Sequence, residues 1–329
     1  MSILETGPTG ERLPEREPIE PEDWPTEPER GYARAQATLL EHYDVDAVSK
    51  AVETDVMGRV HYLEAGDSGA EPIVLLHGVG TTAGLFAKLL GDLADDYRVI
   101  APDRPGRGLS ANASYAGMDV RDSLVVYLLE TLDALDLERP HVVGNSLGGL
   151  QAFLLTIDHD RVDHLGLVAA PGGLSADFPL AFKLMTMKGV NRLIYWLMRR
   201  GDPLANAREQ TEEMLLEDTS EVPEAFYQAF AASRGIPGRQ RSLRSLVEQE
   251  ASFGRLHHVF EMPEEIAAID RPTRFVWGEE DFFWGPEVGR PVIERMADAD
   301  LVALADHGHM PWMEPGDEVA TALRDFLPS

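Results

Sequence analysis

The chain contains no cysteine, which excludes disulfides, thiol nucleophiles and cysteine-ligated metal. Lysine is almost as scarce. Lys50, Lys88, Lys183 and Lys188 are the four among 29 basic residues, which face 57 acidic ones and leave a formal charge of −28. Such a chain is repelled by nucleic-acid phosphates and anionic lipid, so neither is an expected partner. No apolar run reaches the roughly eighteen residues of a membrane-spanning helix, and no membrane insertion is expected. The first residues, Met1-Ser2-Ile3-Leu4-Glu5, show no basic patch leading into an apolar stretch. No signal peptide is read there, and the expected location is cytoplasmic.

The acidic residues are spread along the chain rather than gathered in one tail, so the whole surface is expected to be negative. Such a surface repels itself at low ionic strength and is relieved by salt. A protein adapted to a salty cytosol is one reading; ordinary solubility charge is the other.

What is present sorts into four stretches. Residues 1–50 begin as an acidic arm, with six prolines and nine acidic side chains in the first thirty positions. That composition predicts an extended or disordered segment, followed by a short helix over 31–50 carrying Tyr32, Leu39, Leu40 and Tyr43. From residue 51 to 173 strands alternate with helices. Val52–Val56 and Arg59–Glu64 read as a hairpin around Gly58. Pro72–Leu76, Arg98–Ala101, His141–Gly144 and Leu165–Ala170 are short apolar runs of the kind buried on both faces. Met118–Leu137 has its leucines at helical spacing. This order predicts an α/β fold with a mainly parallel central sheet and helices on both faces. Residues 174–268 break the rhythm with helical segments at Phe182–Met198, Glu209–Leu216 and Glu224–Ala232. The first is so rich in large apolar groups that a helical lid over an apolar cavity is expected, a dimer surface being the alternative. Over 269–329 the sheet resumes at Phe275–Trp277 and Leu301–Ala305, and a helix at Val319–Leu327 closes the chain.

The strongest local signal is Gly144-Asn145-Ser146-Leu147-Gly148, between a predicted buried strand and a predicted helix. A serine nucleophile at such a turn needs a small residue two places to either side, because strand and helix approach closely there. Its own backbone is strained so that the hydroxyl projects from the sheet edge. The bland reading is a glycine-rich helix start with Ser146 as its cap.

With that turn in place, the sequence resembles the α/β-hydrolase superfamily over roughly residues 52–327. His77-Gly78-Val79-Gly80 resembles the family's oxyanion loop, and Asp103-Arg104-Pro105-Gly106-Arg107-Gly108-Leu109-Ser110 its D-x-x-G-x-G-x-S segment. Trp277-Gly278-Glu279-Glu280-Asp281 resembles the strand end that presents the acid, and Gly308-His309-Met310-Pro311 the histidine loop. The resemblance implies an α/β-hydrolase fold with an inserted helical lid. It also implies Ser146 as nucleophile, His309 as general base, Asp281 as the orienting carboxylate, and the backbone N–H groups of Leu147 and Val79 as oxyanion donors.

The chemistry asks for these residue types. A serine hydroxyl is a poor nucleophile until a base takes its proton, and an imidazole titrates in the right range. The imidazole needs an acceptor on its second nitrogen to fix its tautomer. Spacing alone does not choose between His307 and His309, nor among Glu279, Glu280 and Asp281; the resemblance favours His309 and Asp281. His77, Arg104 and Ser110 read as loop-holding residues. His257-His258 lacks the companions of a metal site, and Gly106–Gly108 lacks the full dinucleotide fingerprint, so neither cofactor nor metal is expected.

Acyl transfer to water through an acyl-enzyme fits best, with a carboxylic ester of a small to medium apolar substrate as the default. Asn145 and the double glycine after Leu147 resemble the meta-cleavage-product hydrolases, which split a carbon–carbon bond in a vinylogous diketone acid; that is the alternative. A third reading is a non-catalytic binding protein of the same fold. Asn145, Trp196, Trp284 and Trp312 are candidate substrate-lining residues, Arg192, Arg199 and Arg200 are candidate lid cations, and a homo-oligomer is the expectation if the apolar segment is a dimer surface.

Overall fold

The apolar runs of the sequence become the middle of one sheet. The computed structural model describes residues 13–174, 200–252 and 255–328, with 183, 187 and 190 as isolated positions. Its strands are β1 (Ala47–Thr54), β2 (Gly58–Ala65), β3 (Pro72–Leu76), β4 (Arg98–Pro102), β5 (His141–Asn145), β6 (Leu165–Val168), β9 (Thr273–Gly278) and β10 (Ala299–Leu304). They form an eight-stranded sheet in the order β1-β2-β4-β3-β5-β6-β9-β10. Between β6 and β9 lies a separate two-stranded ribbon, β7 (Ala251–Ser252) and β8 (Arg255–Leu256). The hairpin β1–β2 and its junction with β4 are antiparallel, and every other pairing in the large sheet is parallel.

Side chains of β3 show why these runs carry no polar alternation. Val74 and Leu76 join one apolar cluster with Leu124, Leu128, Leu150 and Phe153, whereas Ile73 and Leu75 join another with Leu89, Leu90, Leu93 and Leu323. Both faces are therefore covered by helices, as a parallel sheet requires. Helices α2 (Ala87–Ala94), α3 (Asp122–Ala134) and α4 (Leu147–Ile157) supply much of that cover. The mainly parallel sheet with helices on both faces is the architecture expected from the sequence.

The amino-terminal arm departs from expectation where it is described. Arg16 N–H donates to Ala51 O and Ile19 N–H to Ser49 O, each at 2.8 Å, so the segment is extended but anchored along β1. Trp24 is wholly buried, with His61 edge-on at 5.4 Å and the Arg59 guanidinium 5.1 Å from its ring centre. Two buried apolar groups, Ile19 and Trp24, flank the single 3₁₀ turn Pro21–Asp23 and pin the segment. Helix α1 (Glu27–His42) then starts earlier than the spacing predicts, because Thr26 and Glu29 form a reciprocal capping box ahead of the apolar positions. It also ends earlier, since residues 47–54 pair with β2.

The insertion between β6 and β9 holds helices at Pro203–Gln210, Glu224–Gly235 and Arg239–Glu250. The helix expected over Phe182–Met198, and with it Trp196, Arg192 and Arg199, lies outside the described residues. The segment expected as one helix over Glu209–Leu216 is split. A regular helix ends at Gln210, and a wider π-type turn runs from Thr211 to Leu215.

Candidate active site

Parallel pairing places the carboxyl ends of β3, β5, β6, β9 and β10 along one edge of the sheet, where α/β folds build their sites. Ser146 follows β5 directly. Its backbone adopts φ 54° and ψ −116°, a left-handed conformation unusual for a side chain with a Cβ and worth roughly 1–3 kcal/mol of strain. The neighbours explain why only glycine serves at 144 and 148. A Cβ on Gly144 would stand 2.4 Å from Gly148 O, and one on Gly148 would stand 2.0 Å from Leu76 O. Leu147 opens α4, so its N–H has no acceptor within the helix and lies at the positive end of the helix dipole.

The loop after β3 is held from behind. The Gly78 carbonyl accepts from His77 Nδ1 at 2.8 Å, from Arg104 Nη2 at 3.2 Å and from Thr81 Oγ1 at 3.2 Å. Arg104 Nη2 also donates to His77 O at 2.7 Å, and Arg107 donates to the carbonyls of Thr81 and Gly80. Among the described residues no peptide bond is cis, so a carbonyl aimed at these donors turns the Val79 N–H the opposite way. His77 is buried and neutral: burial beside Arg104 lowers its pKa to about 3, and its Nε2 accepts from Arg104 N–H at 3.0 Å. Asp103, held by His61 Nδ1 at 2.6 Å and by the N–H groups of Ala83 and Leu109 at 2.9 Å, is an ionised anchor of the same loop pair. Those bonds outweigh its burial and lower its pKa to about 2. Ser110 donates to Asp103 O at 2.6 Å, in keeping with a loop-holding part.

On the far side, His309 Nδ1 donates to Asp281 Oδ2 at 2.8 Å. Asp281 has a fully buried side chain and also accepts from Phe283 N at 2.9 Å, Trp284 N at 3.4 Å and Trp277 Nε1 at 3.2 Å. With Nδ1 engaged, His309 has Nε2 for the serine side. Among the described contacts no hydrogen bond yet joins Ser146 Oγ to that nitrogen; such bonds often tighten only in the substrate complex. The competitors lie elsewhere. His307 Nδ1 donates to Ala305 O at 2.7 Å, and Glu279 and Glu280 are exposed.

Ser146, His309, Val79 and Leu147 line one cavity of about 130 Å³, together with Asn145, Leu150, Pro171, Phe283 and Trp284. Gln210, Leu215, Val247, Glu250 and Ala251 reach it from the insertion. Two residues hold the histidine loop. Asn145 Nδ2 donates to His309 O and to Val168 O, each at 3.1 Å, so it braces the site as well as lining it. Glu314, which the sequence reading passed over, is buried and accepts from Gly308 N at 3.0 Å and from Glu217 N in the insertion at 2.6 Å. Trp312 is not a lining residue. Its indole donates to Leu85 O at 3.1 Å and its ring packs on Phe86 at 4.9 Å, in the core behind the site.

Residues 73–322 match the model of the alpha/beta hydrolase family. The chain belongs to that family. It is 31% identical over 268 residues to the 2-hydroxymuconate semialdehyde hydrolase of Pseudomonas sp. (strain CF600), covering 79% of this chain and 88% of that one. It is 29% identical over 276 residues to the 2-hydroxy-6-oxo-6-phenylhexa-2,4-dienoate hydrolase of Comamonas testosteroni, covering 82% and 91%. Among solved structures, the 2-hydroxy-6-oxo-6-phenylhexa-2,4-dienoate hydrolase of Rhodococcus sp. strain RHA1 is similar at a TM-score of 0.70 and 22% identity, over 86% of this chain and 99% of that one. A carboxylesterase of Bacillus subtilis is similar at a TM-score of 0.70 and 19% identity, over 92% and 98%. At those identities the structural likeness speaks to the fold alone. The chain is an enzyme of the hydrolase family, with a largely apolar cavity sized for a small organic substrate.

Neither His257 nor His258 belongs to a group of metal-ligating side chains among the described residues. A different group does form at the opposite end of β5 and β6: Asp163 Oδ2 lies 2.7 Å from His164 Nδ1 and 3.5 Å from His141 Nδ1. It is remote from Ser146 along the strands. Among the described residues no helix is long and apolar enough to cross a membrane.

Proposed function

We propose that the protein is a serine-nucleophile hydrolase that cleaves a carbon–carbon bond next to a ketone in a 2-hydroxy-6-oxo-dienoate-type substrate. The observation that carries this reading is the similarity to a 2-hydroxymuconate semialdehyde hydrolase, 31% identical over 79% of this chain, and to a 2-hydroxy-6-oxo-6-phenylhexa-2,4-dienoate hydrolase, 29% identical over 82%. The site geometry supports the chemistry. Ser146 adds to the ketone carbonyl while His309 Nε2 takes its proton, and Asp281 holds the imidazole in the Nδ1–H tautomer. The N–H groups of Leu147 and Val79 receive the oxyanion; a single such donor is typically worth roughly 3 kcal/mol.

Collapse of the tetrahedral adduct breaks the bond to the neighbouring carbon. This step needs the 2-hydroxy-dienoate first in its keto form, the enol proton having moved to C5. The pair released from the C5–C6 bond then delocalises through the C3–C4 alkene onto the 2-oxo group, and the proton held by His309 passes to that enolate oxygen to restore a 2-hydroxy-dienoate. Water, deprotonated by His309, then releases the acyl group from Ser146 as a carboxylic acid. Overall one water is consumed, and the products are an acid and a dienoate.

Ester hydrolysis is the second reading, favoured by the fold shared with a carboxylesterase and by the identical need for tetrahedral addition at a carbonyl. Parallel assays of a 2-hydroxy-6-oxo-dienoate and a p-nitrophenyl ester separate the two. A wild-type enzyme that turns over only the ester moves the assignment to an esterase. Failure on both, with no fluorophosphonate label on Ser146, moves it to a binding protein. A cytosolic, salt-adapted setting and self-association belong to the same proposal, and on this account added KCl raises stability by screening the charge of −28.

A further inference from the structure

Glu250 ends the helix Arg239–Glu250 and lines the cavity that holds Ser146 and His309. Only 4% of the residue is exposed, and its Oε1 is buried without a hydrogen-bond partner. Val247, Ala251, Leu150 and Pro171 line the same cavity. Leaving a carboxylate unpaired in such surroundings costs several kcal/mol, so the group is held neutral near pH 7. Burial pushes its pKa up to about 8, against the opposing charge of Arg104. A neutral carboxyl carries one O–H donor, and Glu250 Oε1 has no hydrogen-bond partner among the described residues. Arg104 itself has Nε and Nη1 buried and unpartnered.

We infer that Glu250 is a polar subsite of the cavity, donating a hydrogen bond to a substrate oxygen other than the reacting carbonyl, with a carboxylate as the preferred acceptor. The inference rests on this cavity being the substrate site, but not on which bond is cleaved there. A carboxylic acid meeting a carboxylate forms a charge-assisted hydrogen bond, about twice the strength of a neutral one. The Arg104 charge favours an anionic oxygen over an uncharged one. The titratable groups around Glu250 are Arg104, Tyr115, whose hydroxyl is committed to Pro105 O at 2.7 Å, and His309 on the same cavity. Once Glu250 ionises, it repels the ligand it would otherwise hold.

Calorimetry with 4-phenylbutyrate reads this subsite without any turnover. The expected result is affinity at pH 7 falling roughly tenfold or more in Glu250→Leu, the range of a hydrogen bond to a charged group, and being retained in Glu250→Gln, which keeps an N–H donor. Wild-type affinity falls between pH 7 and 9, and that of Glu250→Gln does not. Glu250→Leu binding as tightly as wild type overturns the inference. Should that variant not fold, a Glu250→Gln profile with the wild-type fall above pH 8 overturns it equally. Turnover is measured apart. If neither dienoate nor ester is cleaved while Glu250→Leu still loses carboxylate affinity, the proposed reaction fails and the subsite stands.

Discussion

His309 Nδ1 lies 2.8 Å from Oδ2 of Asp281, a carboxylate whose side chain is wholly buried and which accepts from two backbone N–H groups and an indole besides. Every donor around Asp281 requires an acceptor there. With Asp281 as acceptor, the hydrogen on His309 sits on Nδ1 and leaves Nε2 facing the serine side.

That relationship sets the outcome of Asp281→Asn. The amide keeps one acceptor but turns an NH₂ toward at least one existing donor, favouring the wrong imidazole tautomer. On the proposed mechanism kcat falls by roughly 10⁴ while KM changes little. Steady-state kinetics on the purified variant check it, and a loss of less than about tenfold would remove Asp281 from the mechanism.

The elbow makes a steric prediction. Gly148→Ala sets a methyl group 2.0 Å from the Leu76 carbonyl, and backbone cannot swing aside as a flexible side chain can. We expect a loss of about 3 kcal/mol or more in stability and little activity in what remains folded. Gly80→Ala is the control, because its added Cβ meets nothing within 4 Å. Chemical denaturation of both variants decides it; equal stability of the two contradicts the packing argument.

Arg104 acts at one remove, by holding the carbonyls of His77 and Gly78. Arg104→Met leaves the Gly78 carbonyl its bonds from His77 and Thr81 but loosens the loop that aims the Val79 N–H. The expected result is a kcat lowered by roughly tenfold to a hundredfold, with KM for an uncharged ester within about threefold, the scale of one or two lost hydrogen bonds to a charged group. A variant whose KM rises while kcat holds would show that Arg104 serves binding instead.

Glu250 gives a pH signature in stability. Its folded pKa, raised by burial to about 8, exceeds the ordinary value of 4.5, so the folded state binds this proton more tightly than the unfolded state does. Its contribution is fully present below pH 4.5 and is lost as pH rises through 8. Glu250→Gln removes that loss. Its stability relative to wild type grows between about pH 5 and 8, by an amount on the order of a few kcal/mol, and then levels off. Urea melts at pH 5, 6.5 and 8 measure the difference, and a pH-independent gap would show that Glu250 is not buried as described.

The parts of this site that sequence exposed are those fixed by local sterics. Gly144, Ser146 and Gly148 are forced by the approach of α4 to β3 within five residues, so their pattern is local and legible. The pairing of Asp281 with His309 needs the whole sheet, and the residues entered through a family likeness rather than through spacing. Glu250 was invisible for a different reason. It sits in Arg-Gln-Arg-Ser-Leu-Arg-Ser-Leu-Val-Glu-Gln-Glu, a run that reads as a solvated helix, and only the fold turns its last carboxyl into the cavity. Glu314 was hidden likewise, because its partners Gly308 and Glu217 come from two separate loops. Trp312 misled by residue type: an indole suits a pocket wall and a core equally, and Leu85 O supplies the acceptor that makes burial inexpensive. The arm shows the same limit, since composition forecast its extended backbone but not the slot that receives Trp24.

The most direct test follows a 2-hydroxy-6-oxo-dienoate by its absorbance, with wild-type protein and with Ser146→Ala, and identifies the products by mass spectrometry. The account predicts loss of the dienoate chromophore with wild type, one acid and one dienoate fragment per substrate, and a rate reduced by a factor of roughly 10³ or more in the variant. An unchanged rate in Ser146→Ala, or a dienoate left intact by a wild-type enzyme that hydrolyses esters, would contradict it.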